Sequence, residues 1–263
     1  MKAILTDVTK CIGCLECVSA CKSANRLPMD IPRLWQKNDG LSAYNWTSIL
    51  PKPLPREAGN GGQRFRYIRK QCRHCLEPAC ASACPVGALH QTAPGAVVYD
   101  SEKCLGCRYC MMACPYGIPR YDWESPVPYV RKCILCFERV SEGKEPACTE
   151  VCPTKATIFG EREALIREAH ERIKSNPGKY IEKVFGEHEV GGTAVLYISD
   201  IDLDFLAYKS NLGSRPLPQT TAAAMKSVPV AFVGMGAFMY GLHWIIKRRT
   251  ERKENPEQPE GKI

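Results

Sequence analysis

CLGCRYCMMACP, residues 104–115, places four cysteines in twelve positions, spaced two, two and three apart, with a proline directly after the last. The pattern recurs along the chain. All 16 cysteines fall into four quartets: Cys11, Cys14, Cys17 and Cys21; Cys72, Cys75, Cys80 and Cys84; Cys104, Cys107, Cys110 and Cys114; and Cys133, Cys136, Cys148 and Cys152. Proline follows Cys84, Cys114 and Cys152, whereas Lys22 follows Cys21. A disulfide framework suits small secreted domains that lack a core. This chain has 263 residues and 44% hydrophobic composition, and cysteines two residues apart are poor disulfide partners. Structural zinc uses paired CxxC units, and the 2-2-3 run is not a zinc spacing.

C-x2-C-x2-C-x3-C-P is the spacing that binds a [4Fe–4S] cube in bacterial ferredoxins. Three thiolates on one tight loop face three irons, and the fourth cysteine, on the following helix, ligates the other cluster of a pair. Quartets therefore exchange their fourth cysteines. The second and third are separated only by residues 85–103 and read as one ferredoxin unit. The first and last then form a second unit into which the other is inserted. The expected ligand sets are Cys72, Cys75 and Cys80 with Cys114; Cys104, Cys107 and Cys110 with Cys84; Cys11, Cys14 and Cys17 with Cys152; and Cys133, Cys136 and Cys148 with Cys21. His74, inside CRHC, is expected near a cluster without ligating it, because its quartet already has four thiols.

The ordered spacings 2-2-3, 2-4-3, 2-2-3 and 2-11-3 resemble the four-cluster ferredoxin-like subunit of respiratory molybdenum and nickel–iron oxidoreductases, formate dehydrogenase beta subunits and the related hydrogenase subunit in particular. The likeness runs from about Lys2 to about Asp204 and includes KCLGCRYCMMACPYGIPRY (103–121), RKCILCFERV (131–140) and FGEHEVGGTAVLYISD (185–200). It implies an α+β fold: two ferredoxin-like units of two [4Fe–4S] clusters each, related by a pseudo-twofold, one nested in the other, plus a single C-terminal transmembrane helix.

The formal charge of +8 would ordinarily raise nucleic acid or an anionic surface as partner. Bound ions belong in that count. Sixteen thiolates and four oxidised cube cores add about −8, so the basic excess reads as counter-charge for clusters, and no nucleic-acid partner is expected. Arg69, Lys70, Lys103, Arg131 and Lys132 all stand just before cluster loops. They are solvated loop cations, or they raise the potential of a nearby cluster; Lys132 is the favoured candidate for tuning.

MKAILTDVTK at the start contains no apolar run long enough for a secretory signal and no twin arginine. AILTDV, NWTSIL, RFRYIRK, AVVYDSEKC and TAVLYIS read as strands. EREALIREAHERIKSNPG (161–178) reads as a helix with Leu165, Ile166, Ala169 and Ile173 on one stripe, stopped by Asn176-Pro177-Gly178. Residues 51–63 read as a Pro/Gly-rich loop and Gly191-Gly192 as a turn. The expected organisation is an outer unit at 1–71 and 115–210, a nested unit at 72–114, a linker at 211–227, a transmembrane helix at 228–246 and a charged tail at 247–263. VPVAFVGMGAFMYGLHWII (Val228–Ile246) carries no formal charge and would span roughly 28 Å, about a bilayer core. His243 lies within it and is a candidate for the edge of a quinone or haem, against an ordinary hydrogen bond to a partner helix. No CxxC is followed by His, which excludes covalent c-type haem.

No nucleophile motif, dinucleotide fingerprint or molybdopterin signature is present. The expectation is a non-catalytic electron-transfer subunit. The resemblance implies a catalytic partner, a molybdopterin formate dehydrogenase first and a nickel–iron hydrogenase second, and a membrane cytochrome b/quinone subunit. Another molybdopterin reductase is an alternative, as is a structural membrane anchor, which would not need four clusters. Lys247, Arg248, Arg249, Arg252 and Lys253 follow the apolar span, against Lys226 before it. The positive-inside bias places the tail in the cytoplasm and the cluster domain on the periplasmic face of the inner membrane. Without a signal of its own, that domain is expected to cross bound to a catalytic subunit carrying a twin-arginine signal.

Overall fold

The computed structural model describes residues 1–28, 39–55, 64–125, 129–206 and 212–254. They form two compact units, Met1–Pro218 and Gln219–Ile263.

The first unit is organised around β1 (Lys2–Asp7), whose Ala3, Ile4 and Leu5 have almost no exposed surface. A continuous apolar run is what a strand covered on both faces requires. Two hairpins follow in sequence: β2 (Ser48–Pro53) with β3 (Phe65–Lys70), and β4 (Leu89–Gln91) with β5 (Val97–Tyr99), both antiparallel. β6 (Arg120–Tyr121) pairs with β7 (Val130–Arg131). β8 (Thr157–Glu161) and β9 (Val195–Ile198) flank β1 in the order β8-β1-β9, antiparallel and parallel respectively.

Side chains alternate across a strand, and the two faces of β1 bury different things. Ala3 and Leu5 pack with Leu196, Ile198 and the stripe of Leu165, Ile166, Ala169 and Ile173 on the long helix. Ile4 packs on the other side with Val195, Tyr197, Ile68, Leu135 and Cys148. The sheet thus separates an ordinary apolar core from the layer that holds the cysteines.

Among the described residues of this unit are six helices: α1 (Glu16–Ala24), α2 (Ala79–Ser82), α3 (Tyr109–Ala113), α4 (Phe137–Ser141), α5 (Ala147–Glu150) and α6 (Arg162–Ser175). α1 packs on α5 and α2 on α3. α6 ends at Ser175 with Asn176 as its cap, as the Asn-Pro-Gly stop predicts. Gly191 lies at the end of a short 3-10 turn, and both it and Gly192 have positive φ.

α7 runs from Leu217 to Glu254. It begins well before Val228, inside the stretch expected as linker, and it continues past Ile246 into the expected tail. The physical reason lies in the flanks. Pro218 is tolerated in a first turn, where no intrahelical donor is needed, Ala222–Ala224 favour helix, and Lys247 pairs with Glu251 one turn on. The helix is long and apolar enough to cross a membrane, and its apolar side chains, Phe232 and Val230 among them, are exposed. Of the expected 51–63 loop, Pro51–Pro53 belong to β2, and 56–63 lie outside the described residues.

Candidate iron–sulfur site

Each cysteine loop turns back on itself through left-handed backbone. In the first, Gly13 has φ +73° and Leu15 +66°; in the third, Gly106 has +71° and Arg108 +63°. Leu15 and Arg108 are the N-caps of α1 and α3. The second and fourth loops place His74 (+48°) and Leu135 (+58°), each just before a second cysteine, in the same region. Left-handed conformations cost about 1–2 kcal/mol at a residue with a side chain. These turns aim backbone N–H groups inward: Gly106 N–H donates to Cys104 Sγ at 3.4 Å, Leu135 N–H to Cys133 Sγ at 3.4 Å, and Ile118 N–H to Cys114 Sγ at 3.5 Å.

All sixteen cysteines are free thiols, and tertiary structure brings members of different quartets together. Cys11, Cys14 and Cys17 line a common pocket with Cys152. Cys133 lies within electrostatic reach of Cys21, Cys72, Cys136 and Cys148. Cys75 has Cys114, Cys72 and Cys80 as neighbours, and Cys110 has Cys104, Cys107 and Cys84. Burial is the main force on these thiols. It pushes Cys17 up to about 11 and Cys21 and Cys80 up to about 12, with neighbouring thiols adding to the effect and nearby Arg69 or Lys132 opposing it. Cys152 moves the other way: its partial burial is outweighed by hydrogen bonds from the Thr157 backbone and the Thr154 and Thr157 hydroxyls.

The unpaired polar atoms test the fit to a cluster. Among the described residues, most buried side-chain nitrogens and oxygens without a partner belong to residues 69–74: the three guanidinium nitrogens of Arg69, both amide atoms of Gln71, Nη1 of Arg73 and Nε2 of His74. Others stand beside thiols, the Thr47 hydroxyl near Cys21 and the Tyr99 hydroxyl near Cys104. Buried donors are ordinarily paired. A sulfur-rich anion among these thiols would supply acceptors for the donors in this group, the Gln71 Oε1 being itself an acceptor.

Lys132, the expected tuning residue, is buried, and its ammonium donates to the carbonyls of Val97 and Cys133. It lies near Cys80 and His74. His74 accepts the Val97 N–H on Nδ1 at 3.0 Å, which places the ring proton on Nε2. Burial, reinforced by Lys132, holds His74 neutral. Lys103 is exposed and pairs with Asp100, and Lys70 pairs with Asp39. His243 stands exposed on α7. The burial of Arg69 and Gln71 is legible in RKQCRHC only as polar residues at alternate positions on the way out of a strand, a weak signal when the buried face is unknown.

Comparison with known proteins agrees with this chemistry. Residues 63–162 match a 4Fe–4S dicluster domain, and residues 10–88 match a second model of the same description. The chain is 41% identical over 263 residues to a protein of Nitratidesulfovibrio vulgaris, covering 98% of this chain and 70% of that protein. It is 40% identical over 238 residues to the hydrogenase-2 operon protein HybA of Escherichia coli O157:H7, covering 77% and 71%. It is 38% identical over 203 residues to the iron–sulfur subunit of the nitrate-inducible formate dehydrogenase of Escherichia coli K12, covering 74% and 67%. The sixteen cysteines fit four [4Fe–4S] clusters. The chain belongs to the 4Fe–4S dicluster family that contains the formate dehydrogenase iron–sulfur subunits and the hydrogenase-2 protein HybA.

Proposed function

We propose that this chain is an electron-transfer subunit that relays single electrons through four [4Fe–4S] clusters, between a catalytic oxidoreductase subunit and a membrane cytochrome b/quinone subunit. The observation that carries the reading is that each quartet's fourth cysteine shares a pocket or electrostatic reach with the other quartet's first three. It favours the crossed ligand sets, with Cys152, Cys21, Cys114 and Cys84 as the exchanged ligands. Bound cubes supply one-electron redox chemistry; the chain supplies spacing, dielectric and donors to sulfur.

Two further observations favour two units with one nested. β1, which precedes the first loop, pairs antiparallel with β8, which follows the fourth. β5, which precedes the third loop, pairs in the same way with β4, which follows the second. The helices repeat the relation, α1 on α5 and α2 on α3.

Electrostatic reach between thiols of different sets supports a linear order: Cys17 with Cys148, Cys133 with Cys72, and Cys80 with Cys110. The Cys11 and Cys104 sets then stand at the two ends. Exposed apolar side chains are found at both, Ile12, Leu15 and Val151 at one and Leu105, Tyr109 and Met112 at the other, which suits docking to other subunits.

The names of the relatives support a catalytic partner of formate dehydrogenase or hydrogenase type; of these a molybdopterin formate dehydrogenase is the first reading and a nickel–iron hydrogenase the second, with HybA at 40% identity and the formate dehydrogenase subunit at 38%. α7 anchors the chain in the inner membrane, with the tail cytoplasmic, the cluster domain periplasmic and His243 a candidate contact to a quinone or haem.

Anaerobically purified protein is expected to contain about 16 iron and 16 acid-labile sulfide per chain, to be reduced by dithionite, and to show no turnover with formate or hydrogen by itself. Stoichiometric zinc without sulfide would sink the reading. Spheroplast proteolysis tests the orientation: digestion of 1–210 with a protected tail is expected, and a protected domain with a clipped tail overturns it.

A further inference from the structure

We propose that Arg69 is a positive charge shared by two clusters, its guanidinium hydrogen-bonded to sulfur atoms at the Cys11, Cys14, Cys17 and Cys152 site and at the Cys133, Cys136, Cys148 and Cys21 site, raising the potential of both. The proposal rests on the iron–sulfur reading and adds to it a residue that sets the energies of one half of the relay.

Arg69 is among the largest fully buried side chains of the described residues, at 1% exposure. Arginine stays charged in proteins, so this is a buried cation. Among the described residues no carboxylate pairs with it, Nε, Nη1 and Nη2 find no oxygen acceptor, and the partner its charge does reach is the Cys148 thiol. An isolated buried charge is strongly unfavourable, and buried charges are normally paired. The side chain is held there from both ends of its own backbone unit. Arg69 faces Ile49 in the β2–β3 ladder, and the Tyr197 hydroxyl donates to the Arg69 carbonyl at 2.7 Å.

The surroundings of the guanidinium are thiols. It lines the cavity of Cys11, Cys14, Cys17 and Cys152. Cys148 and Cys17, one from each set, are the thiols that interact with it most strongly. Cys11 and Cys21 also feel its charge. A planar fork of five N–H donors can serve two acceptors at once. Each four-thiolate cube is an anion, and a nearby cation favours its reduced form.

The other two sites have a different arrangement. The cation near Cys80 is Lys132, whose ammonium already donates to two backbone carbonyls. Arg73 acts on Cys75 but lies over the rings of Tyr116 and Tyr197, which share its charge. The influence of Arg69 therefore falls on two clusters of the four.

The test is a redox titration of the full-length, cluster-loaded protein, followed by electron paramagnetic resonance, for wild type, Arg69→Gln and Arg69→Lys. Arg69→Gln is expected to lower the midpoint potentials of two clusters and leave the other two in place; Arg69→Lys, which keeps the charge, should lower them less. Four unchanged potentials would overturn the proposal, and so would four that move together, the mark of a general structural effect. Should Arg69→Gln fail to retain clusters, wild-type protein labelled with 15N at the arginine guanidino groups provides the second measurement. Pulsed resonance is expected to detect a 15N coupling on reduced clusters that Arg69→Lys abolishes, and its absence refutes the contact. Wild-type protein without iron and sulfide would instead end the iron–sulfur reading itself.

Discussion

Gly13→Ala separates what a cluster loop demands of its backbone from what it demands of space. Gly13 has φ +73°, and a Cβ built there would lie 2.6–2.9 Å from three carbons of the Tyr67 ring. The left-handed conformation alone costs roughly 1 kcal/mol for alanine relative to glycine. Carbon atoms prefer separations of about 3.5–4.0 Å, and the ring body, unlike the end of a flexible chain, cannot turn aside. Forcing a methyl group into such a place costs about 1–3 kcal/mol more. Gly13→Ala should therefore destabilise the protein by roughly 2–4 kcal/mol. Gly87 supplies the control: its φ is +64°, and a Cβ there meets nothing within 4 Å. Gly87→Ala should cost only about 1 kcal/mol. The double variant Gly13→Ala/Tyr67→Ala should fall well short of the sum of its parts, because removing the ring relieves the overlap. Unfolding rates of the anaerobic protein, followed by bleaching of the cluster absorbance, rank the variants. Equal rates for Gly13→Ala and Gly87→Ala, or additive effects in the double variant, would refute the steric reasoning.

Cys84→Ser should damage the cluster of Cys104, Cys107 and Cys110 and spare that of Cys72, Cys75 and Cys80; resonance spectra showing the reverse would refute crossed ligation. Asp39 joins Arg120 at 2.6 Å and Lys70 at 3.0 Å. Partial burial opposes its ionisation, but the two cations outweigh it and hold the carboxyl below its usual range. Its stabilisation is therefore fully present above the unfolded value, about pH 4, and is lost as pH falls through the lower folded value. Asp39→Asn should cost about 1 kcal/mol at pH 7 after allowance for solvent screening, a difference that shrinks in stopped-flow acid unfolding as the pH drops below 4; a gap that stays constant into acid would argue against the ion pair. Removing iron leaves the donors of residues 69–74 unpaired, so hydrogen exchange at 69–75 should accelerate more than in β1, β8 and β9. Uniform acceleration would contradict their role around the clusters.

The cysteine spacing alone determined the cofactor chemistry, because a thiolate loop that wraps a cube must repeat at short, fixed intervals that no other use of cysteine shares. The uncharged run from Val228 to Ile246 was equally legible, since length and apolarity are additive along a chain. The amphipathic stripe of α6 and its Asn-Pro-Gly stop were local as well. What is not local was decided by tertiary structure. α7 starts at Leu217, because the flanks of an apolar span can be helical without being apolar. Lys132 and Arg69 both precede cysteines by sequence, yet the ammonium of one is occupied by backbone carbonyls while the guanidinium of the other is left facing thiols. Which cation faces a cluster depends on strand pairing and on what covers each face. Those are properties of residues far apart in the chain, the β2–β3 ladder and the Tyr197 hydroxyl among them, and no spacing rule records them.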